Sequence, residues 1–263
     1  ERAAHVWNAI RVAAPDIRLL NHPLRGMLRY QLLRTLRENG INDFDVYRLV
    51  EGRKPARFPV FLRGENDHAG PESELLHSQE ALDAAVNALC RAGKSRESRI
   101  FVEFNGEPDA AGRYRKYGAF YVDGEVIPRH LMISSTWVTK PATRVMDDDA
   151  LAEETRYFDE NPHVDWVRRV FQLACLDYGR IDYTIVGGRL QAFEINTNPT
   201  IVPAEITESS TRHDRFVLAL NRAFAKLEAT VPDGKPVRIS TPLTTWRARA
   251  FSHVLDRLFR RQL

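Results

Sequence analysis

Hydrophobic positions fall at helical spacing in several stretches of the chain. Residues Glu1–Ala14 place Val6, Ile10, Ala13 and Ala14 on one side before Pro15-Asp16 interrupts the pattern. Leu24–Glu38 repeats it with Met27, Leu28, Leu32, Leu33 and Leu36, and Asn39-Gly40 supplies a glycine stop. Ser78–Ala92 begins at a serine suited to an N-cap. Asp165–Cys175, Arg212–Ala229 and Phe251–Phe259 have the same one-sided distribution. Between these stretches lie short β-rich runs: Ile17–Leu20, Val46–Leu49, Phe58–Arg63 and Arg99–Phe104. Tyr117–Val122 and Glu125–Met132 flank Asp123-Gly124, a strong hairpin signal. Ile181–Val186 and Leu190–Ile195 flank Gly187-Gly188 in the same way. Mixed helices and strands with two antiparallel hairpins and no internal repeat predict an α+β fold rather than a doubly wound parallel sheet.

Composition narrows the class without naming a function. A chain of 263 residues with 43% hydrophobic and 28% charged residues can bury a sizeable core. No apolar run reaches the roughly 18 residues of a membrane span. Two cysteines, Cys90 and Cys175, each sit inside a helical pattern and are expected to be reduced core residues of a cytoplasmic protein. The net charge is +3, and from Lys235 onward seven Lys/Arg face a single acid, Asp256. A solvated helix face explains that basic end; nucleic acid is not expected as a partner, and a homo-oligomer is left open.

The second hairpin carries the chemistry. Glu194 and Asn196 are two apart on one strand and share a face. A three-residue loop, Gly187-Gly188-Arg189, would set Val186 opposite Leu190, Thr184 opposite Ala192 and Asp182 opposite Glu194. Ile181, Tyr183, Ile185, Gln191, Phe193 and Ile195 would then form the core face. Two carboxylates and an amide oxygen on one face make an all-oxygen site suited to Mg²⁺ held with phosphates. The bland alternative is a solvated sheet face, against which Ala192, Thr184 and Thr197-Asn198-Pro199 argue.

From about Arg18 to Pro203 the order of these parts resembles the ATP-grasp superfamily, most of all its carboxylate–amine ligases. The most specific part is Asp182, Glu194, Asn196 and Pro199 in the family's spacing, which implies that the first three coordinate one or two Mg²⁺ bridging the phosphates of ATP. F-P-V-F-L-R resembles a strand ending in a phosphate-contacting lysine, so Arg63 takes that role, and Arg29 takes that of an earlier phosphate lysine. Both are departures; arginine binds phosphate through a fork of different reach. G-E-N-D-H-A-G-P lies at the family's glycine-rich lid and keeps Gly64 and Gly70, crowded by Glu65, Asn66, Asp67 and His68. I-F-V-E-F resembles the adenine-binding hinge, with Glu103 and Phe104 at the nucleotide. Arg129, after the first hairpin turn, would reach phosphate as a catalytic charge together with Arg63. The family often has arginine where this chain has Gly118, so that contact falls to Arg115 or Lys116 or is absent.

The resemblance implies two α+β subdomains whose antiparallel sheets clasp a nucleotide, with the preceding N-terminal domain reduced or truncated. Residues 1–40 would be its remnant, 41–106 the small subdomain, 107–210 the large subdomain with the metal site, and 211–263 a C-terminal helical extension. The implied reaction uses ATP to convert a carboxylate into an acylphosphate, from which an amine displaces phosphate. The substrates would be small-molecule or peptide carboxylates and amines. The alternatives are an ATP-grasp kinase acting on a small molecule, and a nucleotide-binding or interaction module without turnover.

Overall fold

The computed structural model describes residues 2–67, 69–201 and 210–228. The expected helix at Phe251–Phe259, the basic end beyond Lys235 and His68 lie outside the described residues. The order of elements is α1 (Arg2–Ala13), α2 (Arg29–Glu38), β1 (Val46–Arg48), β2 (Val60–Gly64), α3 (Gln79–Arg91), β3 (Arg99–Glu103), β4 (Tyr114–Val122) and β5 (Glu125–Ser134). It continues through α4 (Asp148–Glu160), α5 (Val164–Ala174), β6 (Tyr178–Val186), β7 (Arg189–Asn196) and α6 (Ser210–Glu228).

The strands form two wholly antiparallel sheets, a small one ordered β1-β3-β2 and a larger one ordered β5-β4-β6-β7. The fold is therefore α+β with two sheet-bearing halves. In the small sheet, alternation sends Tyr47, Val60, Leu62 and Phe101 to α3, where Leu82, Val86 and Leu89 meet them. The opposite face, Val46, Ile100 and Val102, packs on Leu33 and Phe44. The larger sheet sends Tyr117, Ala119, Tyr121, Ile181 and Tyr183 into a core built with α4 and α5. Helix α2 belongs to both halves, since Leu32 and Leu36 enter the larger core while Leu33 enters the smaller one. Phe120 and Val122, on the other face of β4, pack under Phe216, Leu220 and Ala223 of α6.

Several expectations are corrected. Ile17–Leu20 is not a strand; the segment is irregular, held by Asn21, whose side chain bonds the backbone at Asp177 and Tyr178. Helix α2 starts at Arg29, not Leu24. Cys90 and Cys175 are both exposed, Cys90 on the outer side of α3 and Cys175 in the left-handed position (φ +53°) that ends α5. Helix α4 has no counterpart in the apolar pattern, because Ala150, Glu154 and Tyr157 are its buried positions. Among the described residues, no helix is long and apolar enough to cross a membrane.

The hairpin at Gly187-Gly188 is the most consequential correction. Its register pairs Val186 with Arg189, Ile185 with Leu190, Thr184 with Gln191 and Tyr183 with Ala192, so the loop has two residues rather than three. Both glycines have positive φ, +54° and +75°, as a tight primed turn requires. A two-residue turn alone would leave Asp182 opposite Phe193. A bulge after Tyr183 takes Phe193 out of the ladder and brings Asp182 opposite Glu194. Phe193 in consequence leaves the expected core face and lines the cleft between the sheets.

Candidate active-site cleft

The space between the two sheets is a cleft of about 380 Å³. Its walls are Phe61, Arg63, Val102 and Phe104 from the small half and Lys116, Met132, Arg180, Asp182, Phe193, Glu194 and Asn196 from the larger. The register explains the second group: directly paired residues share a face, and Gly118, Asp182 and Glu194 lie in one row across three strands. Arg180 pairs with Asn196 one step along, on that same face.

One end of the cleft is charged. Arg63 Nη2 donates to Glu194 Oε2 at 3.1 Å, and Arg29 Nη2 donates to the same oxygen at 2.6 Å. Arg180 Nε donates to Asp182 Oδ1 at 2.8 Å, and Lys116 Nζ stands 3.6 Å from Asp182 Oδ2. Asn196 Oδ1 accepts from the Asn198 backbone at 2.9 Å. Burial, and then the charge of Arg29, hold the Arg63 guanidinium below its usual value. Arg29, Arg63, Lys116 and Arg180 stand against the carboxylates of Asp182 and Glu194 and that of Asp67, whose charge also acts on Arg63, so this end keeps one positive charge in excess.

The other end is apolar and aromatic. Trp137, in the segment after β5, stands 5.2 Å from Phe61 and 5.6 Å from Phe104 between ring centroids, so one side chain reaches across from the larger half to the small one. Lys140 lines the cleft beside it.

The expected site residues divide by position. Arg63, Gly70, Glu103, Phe104, Asp182, Glu194 and Asn196 all line the cleft. Gly64 ends β2, and its carbonyl accepts from Arg29. Arg29 itself does not line the cleft. Its guanidinium is spent on the carbonyls of Gly64, Glu65 and Asp67 and on Glu194, which fastens the segment after β2. The Glu103 carboxylate needs no ligand: it accepts from the backbone of Asp45, Ala56 and Arg57 and from the Tyr47 hydroxyl. Arg129 lies away from the cleft, its guanidinium 4.7 Å from the Phe216 ring beneath α6. Arg115 also turns elsewhere, onto Glu153 and Asp109. Lys116 takes the place beside Asp182. Arg180 was legible only as the residue two before Asp182 on the same strand face.

Among the described residues no group of three or more His, Cys, Asp and Glu side chains forms a metal centre. The candidate donor set is instead two carboxylates and an amide oxygen, which suits a hard cation such as Mg²⁺. Its fit depends on exchange, because each carboxylate is already bound by guanidinium or ammonium groups. A cation arriving with an anionic ligand would let those groups move to the anion.

No protein-family model and no curated protein sequence matches the chain. It is similar to the solved D-alanine–D-alanine ligase of Bacillus anthracis complexed with ATP, at 13% identity and a TM-score of 0.44, over 77% of this chain and 68% of that one. The D-alanine–D-alanine ligase of Coxiella burnetii is similar at 12% identity and a TM-score of 0.46, over 90% and 62%. The ATP-grasp ligase PsnB, complexed with a phosphomimetic variant of a minimal precursor, Mg and ADP, is similar at 14% identity and a TM-score of 0.46, over 79% and 60%. The chain thus spans less than two thirds of the last two.

Proposed function

We propose that the chain is an ATP-dependent ligase of the carboxylate–amine type, using Mg²⁺ with the nucleotide. The supporting observation is the cleft itself: two antiparallel sheets enclose an apolar, aromatic end whose rings suit stacking on a base, beside a charged end where Asp182, Glu194 and Asn196 face Arg63. The excess of positive charge at this end favours the net negative charge of an ATP–magnesium complex. Magnesium bound there would neutralise phosphate charge and orient the terminal phosphate. Asp182, Glu194 and Asn196 would hold the ion.

Phosphoryl transfer asks a protein for position and charge rather than for a side-chain nucleophile. On ATP binding, Arg63 and Arg180 transfer their hydrogen bonds from Glu194 and Asp182 to phosphate oxygens, and Lys116, ion-paired with Asp182 beforehand, turns to the phosphates with them. The substrate carboxylate attacks the terminal phosphorus, its oxygen bonds phosphorus, and ADP leaves. The amine then attacks the carbonyl carbon, phosphate departs, and the amine's proton is lost to give the amide. The segment held by Arg29 over the charged end keeps water from the acylphosphate.

The test is calorimetric titration of ATP with and without Mg²⁺, beside Glu194→Ala, followed by a carboxylate and amine screen for ADP release. Mg²⁺-dependent binding weakened by the substitution, with ADP release requiring both substrates, is expected. A phosphorylated product formed without an amine would replace the ligase with a kinase. Binding without turnover on any pair would favour the binding module, and no binding would remove both enzyme readings and leave an interaction module.

A further inference from the structure

Next to the charged end of the cleft lies a second basic group that nucleotide phosphates do not account for. Its centre is the bulge in β5, where Gly118 pairs with His130 and Ala119 with Pro128, leaving Arg129 out of the ladder. Arg129 has no hydrogen bond or ion pair among the described residues; its guanidinium lies on Phe216. His130 shares the face of Asp182 and lays its imidazole over Gly118, where a methyl group would come within 2.4 Å of the ring. Its Nε2 is buried with no partner. His213, near Phe216 on α6, is 4% exposed, and neither of its ring nitrogens has a partner.

The nearby acid is already overdrawn. Glu154 Oε2 accepts from both Arg144 and Arg212, while Oε1 faces the Leu131 backbone at 3.4 Å. Arg129, Arg144 and Arg212 set against Glu154 leave two positive charges, additional to the excess beside Asp182 and Glu194. His130, Gly118 and Asp182 lie in one row across three strands, with Lys116 3.6 Å from Asp182. Burial, and then the charges of Lys116, Arg180, Arg129 and Arg144, hold the His130 imidazole well below its usual pKa. Burying three ring nitrogens without partners, beside a half-buried guanidinium that has no acid of its own, is unfavourable unless something polar meets them. Met132, two residues beyond His130 on the same strand, lines the nucleotide cleft, so the two groups adjoin.

We infer that Arg129, His130 and the start of α6 form a subsite for a second anionic group on the substrate whose reacting carboxylate meets the nucleotide. The substrate class is then a carboxylic acid bearing a further carboxylate or phosphate. This rests on the ATP-dependent reading above, with Arg129 binding substrate rather than the nucleotide's phosphates. Arginine's planar fork suits either anion.

The experiment titrates glutarate, and separately inorganic phosphate, into the full chain saturated with Mg²⁺ and a non-hydrolysable ATP analogue. One saturable anion site is expected, weakened about tenfold or more in Arg129→Met and partly restored in Arg129→Lys. Affinity for the analogue should stay within about twofold, and the circular dichroism melt shows whether each variant is folded. His130→Gln provides a second variant should Arg129→Met fail to fold, and it should weaken the anion as well. Tighter glutarate supports a dicarboxylate and tighter phosphate a phosphorylated acid. Anion binding that is absent from the wild type, or unchanged in folded variants, overturns the subsite. Analogue binding that fails while the anion still binds in an Arg129-dependent way overturns the nucleotide reading alone.

Discussion

Arg29 Nη2 donates to Glu194 Oε2 at 2.6 Å, so a residue opening α2 holds a residue near the end of the last strand of the larger sheet. The same guanidinium takes three carbonyls of the segment after β2. One side chain therefore connects the small sheet's loop, the shared helix and the charged end of the cleft. Lysine keeps the charge but has no fork with which to span four acceptors. Arg29→Lys should lower the unfolding free energy by about 1–3 kcal/mol in urea titration. It should also make the segment from Gly64 to Pro71 the first site of limited proteolysis. Cleavage elsewhere at wild-type rates would show that Arg29 does not hold this segment.

Glu194 is shared by two buried guanidiniums, and removing its charge leaves Arg63 without its acid and Arg29 with backbone carbonyls alone. Glu194→Gln should destabilise the unliganded chain by about 2–3 kcal/mol, toward the low end for a broken buried pair because the carboxylate is partly exposed. The same variant should lose the Mg²⁺ dependence of nucleotide binding. Residual metal-independent binding should remain, since Arg63, which lines the cleft, is then free to meet phosphate. Calorimetry with and without Mg²⁺ separates the two effects; full retention of Mg²⁺ dependence would remove Glu194 from the metal site.

Gly118 gives a sharper structural test. The His130 imidazole occupies the space where a Cβ would stand, and that contact is with a ring packed among cations rather than the free end of a flexible chain. Gly118→Ala should cost about 1–3 kcal/mol in chemical denaturation through overpacking. In the Gly118→Ala/His130→Ala double variant the clash is gone, so the two costs should be clearly non-additive. Additive costs would mean that the two positions do not share this space.

The hydrophobic pattern revealed most elements because their periodicity and their burial coincide. Ser78 caps α3 with its side chain on the Ala81 backbone, as its position before an apolar helix suggested. Helix α4 was hidden because one of its buried positions is Glu154, whose burial depends on Arg144 and Arg212, residues outside the helix. The opposition of Asp182 and Glu194 could be anticipated, but through the wrong turn. A three-residue loop and a two-residue loop followed by a bulge give the same pairing at those two positions and different pairings everywhere between. The charged partners were less legible still. Whether an arginine faces a cleft, as Arg180 does, or a helix, as Arg129 does, is set by where a bulge falls in the sheet, for Arg129 in its own strand, and leaves no mark in the local sequence.

The last prediction concerns pH and the face of the larger sheet opposite the cleft. His163, just before α5, places Nδ1 3.0 Å from the Tyr183 hydroxyl, which also meets the Tyr157 hydroxyl at 3.0 Å. The imidazole stands edge-on to the rings of Tyr117 and Tyr183. Burial lowers its pKa below the ordinary 6.5, while burial raises that of Tyr183 and keeps the phenol neutral. The unfolded chain therefore takes up a proton at His163 near pH 6.5, when the folded chain does not. The stabilisation is fully present above that value and is lost as pH falls through it toward the folded pKa. Urea unfolding at pH 8, 6.5 and 5 should show declining stability in the wild type. His163→Gln, which can keep a hydrogen bond to Tyr183 but does not titrate, should decline less steeply over the same interval, with a remaining slope from His130, whose pKa is also lowered by burial. A variant with the wild-type slope would show that His163 is protonated equally in the folded and unfolded chains, and that its hydrogen bond to Tyr183 does not depend on the neutral ring.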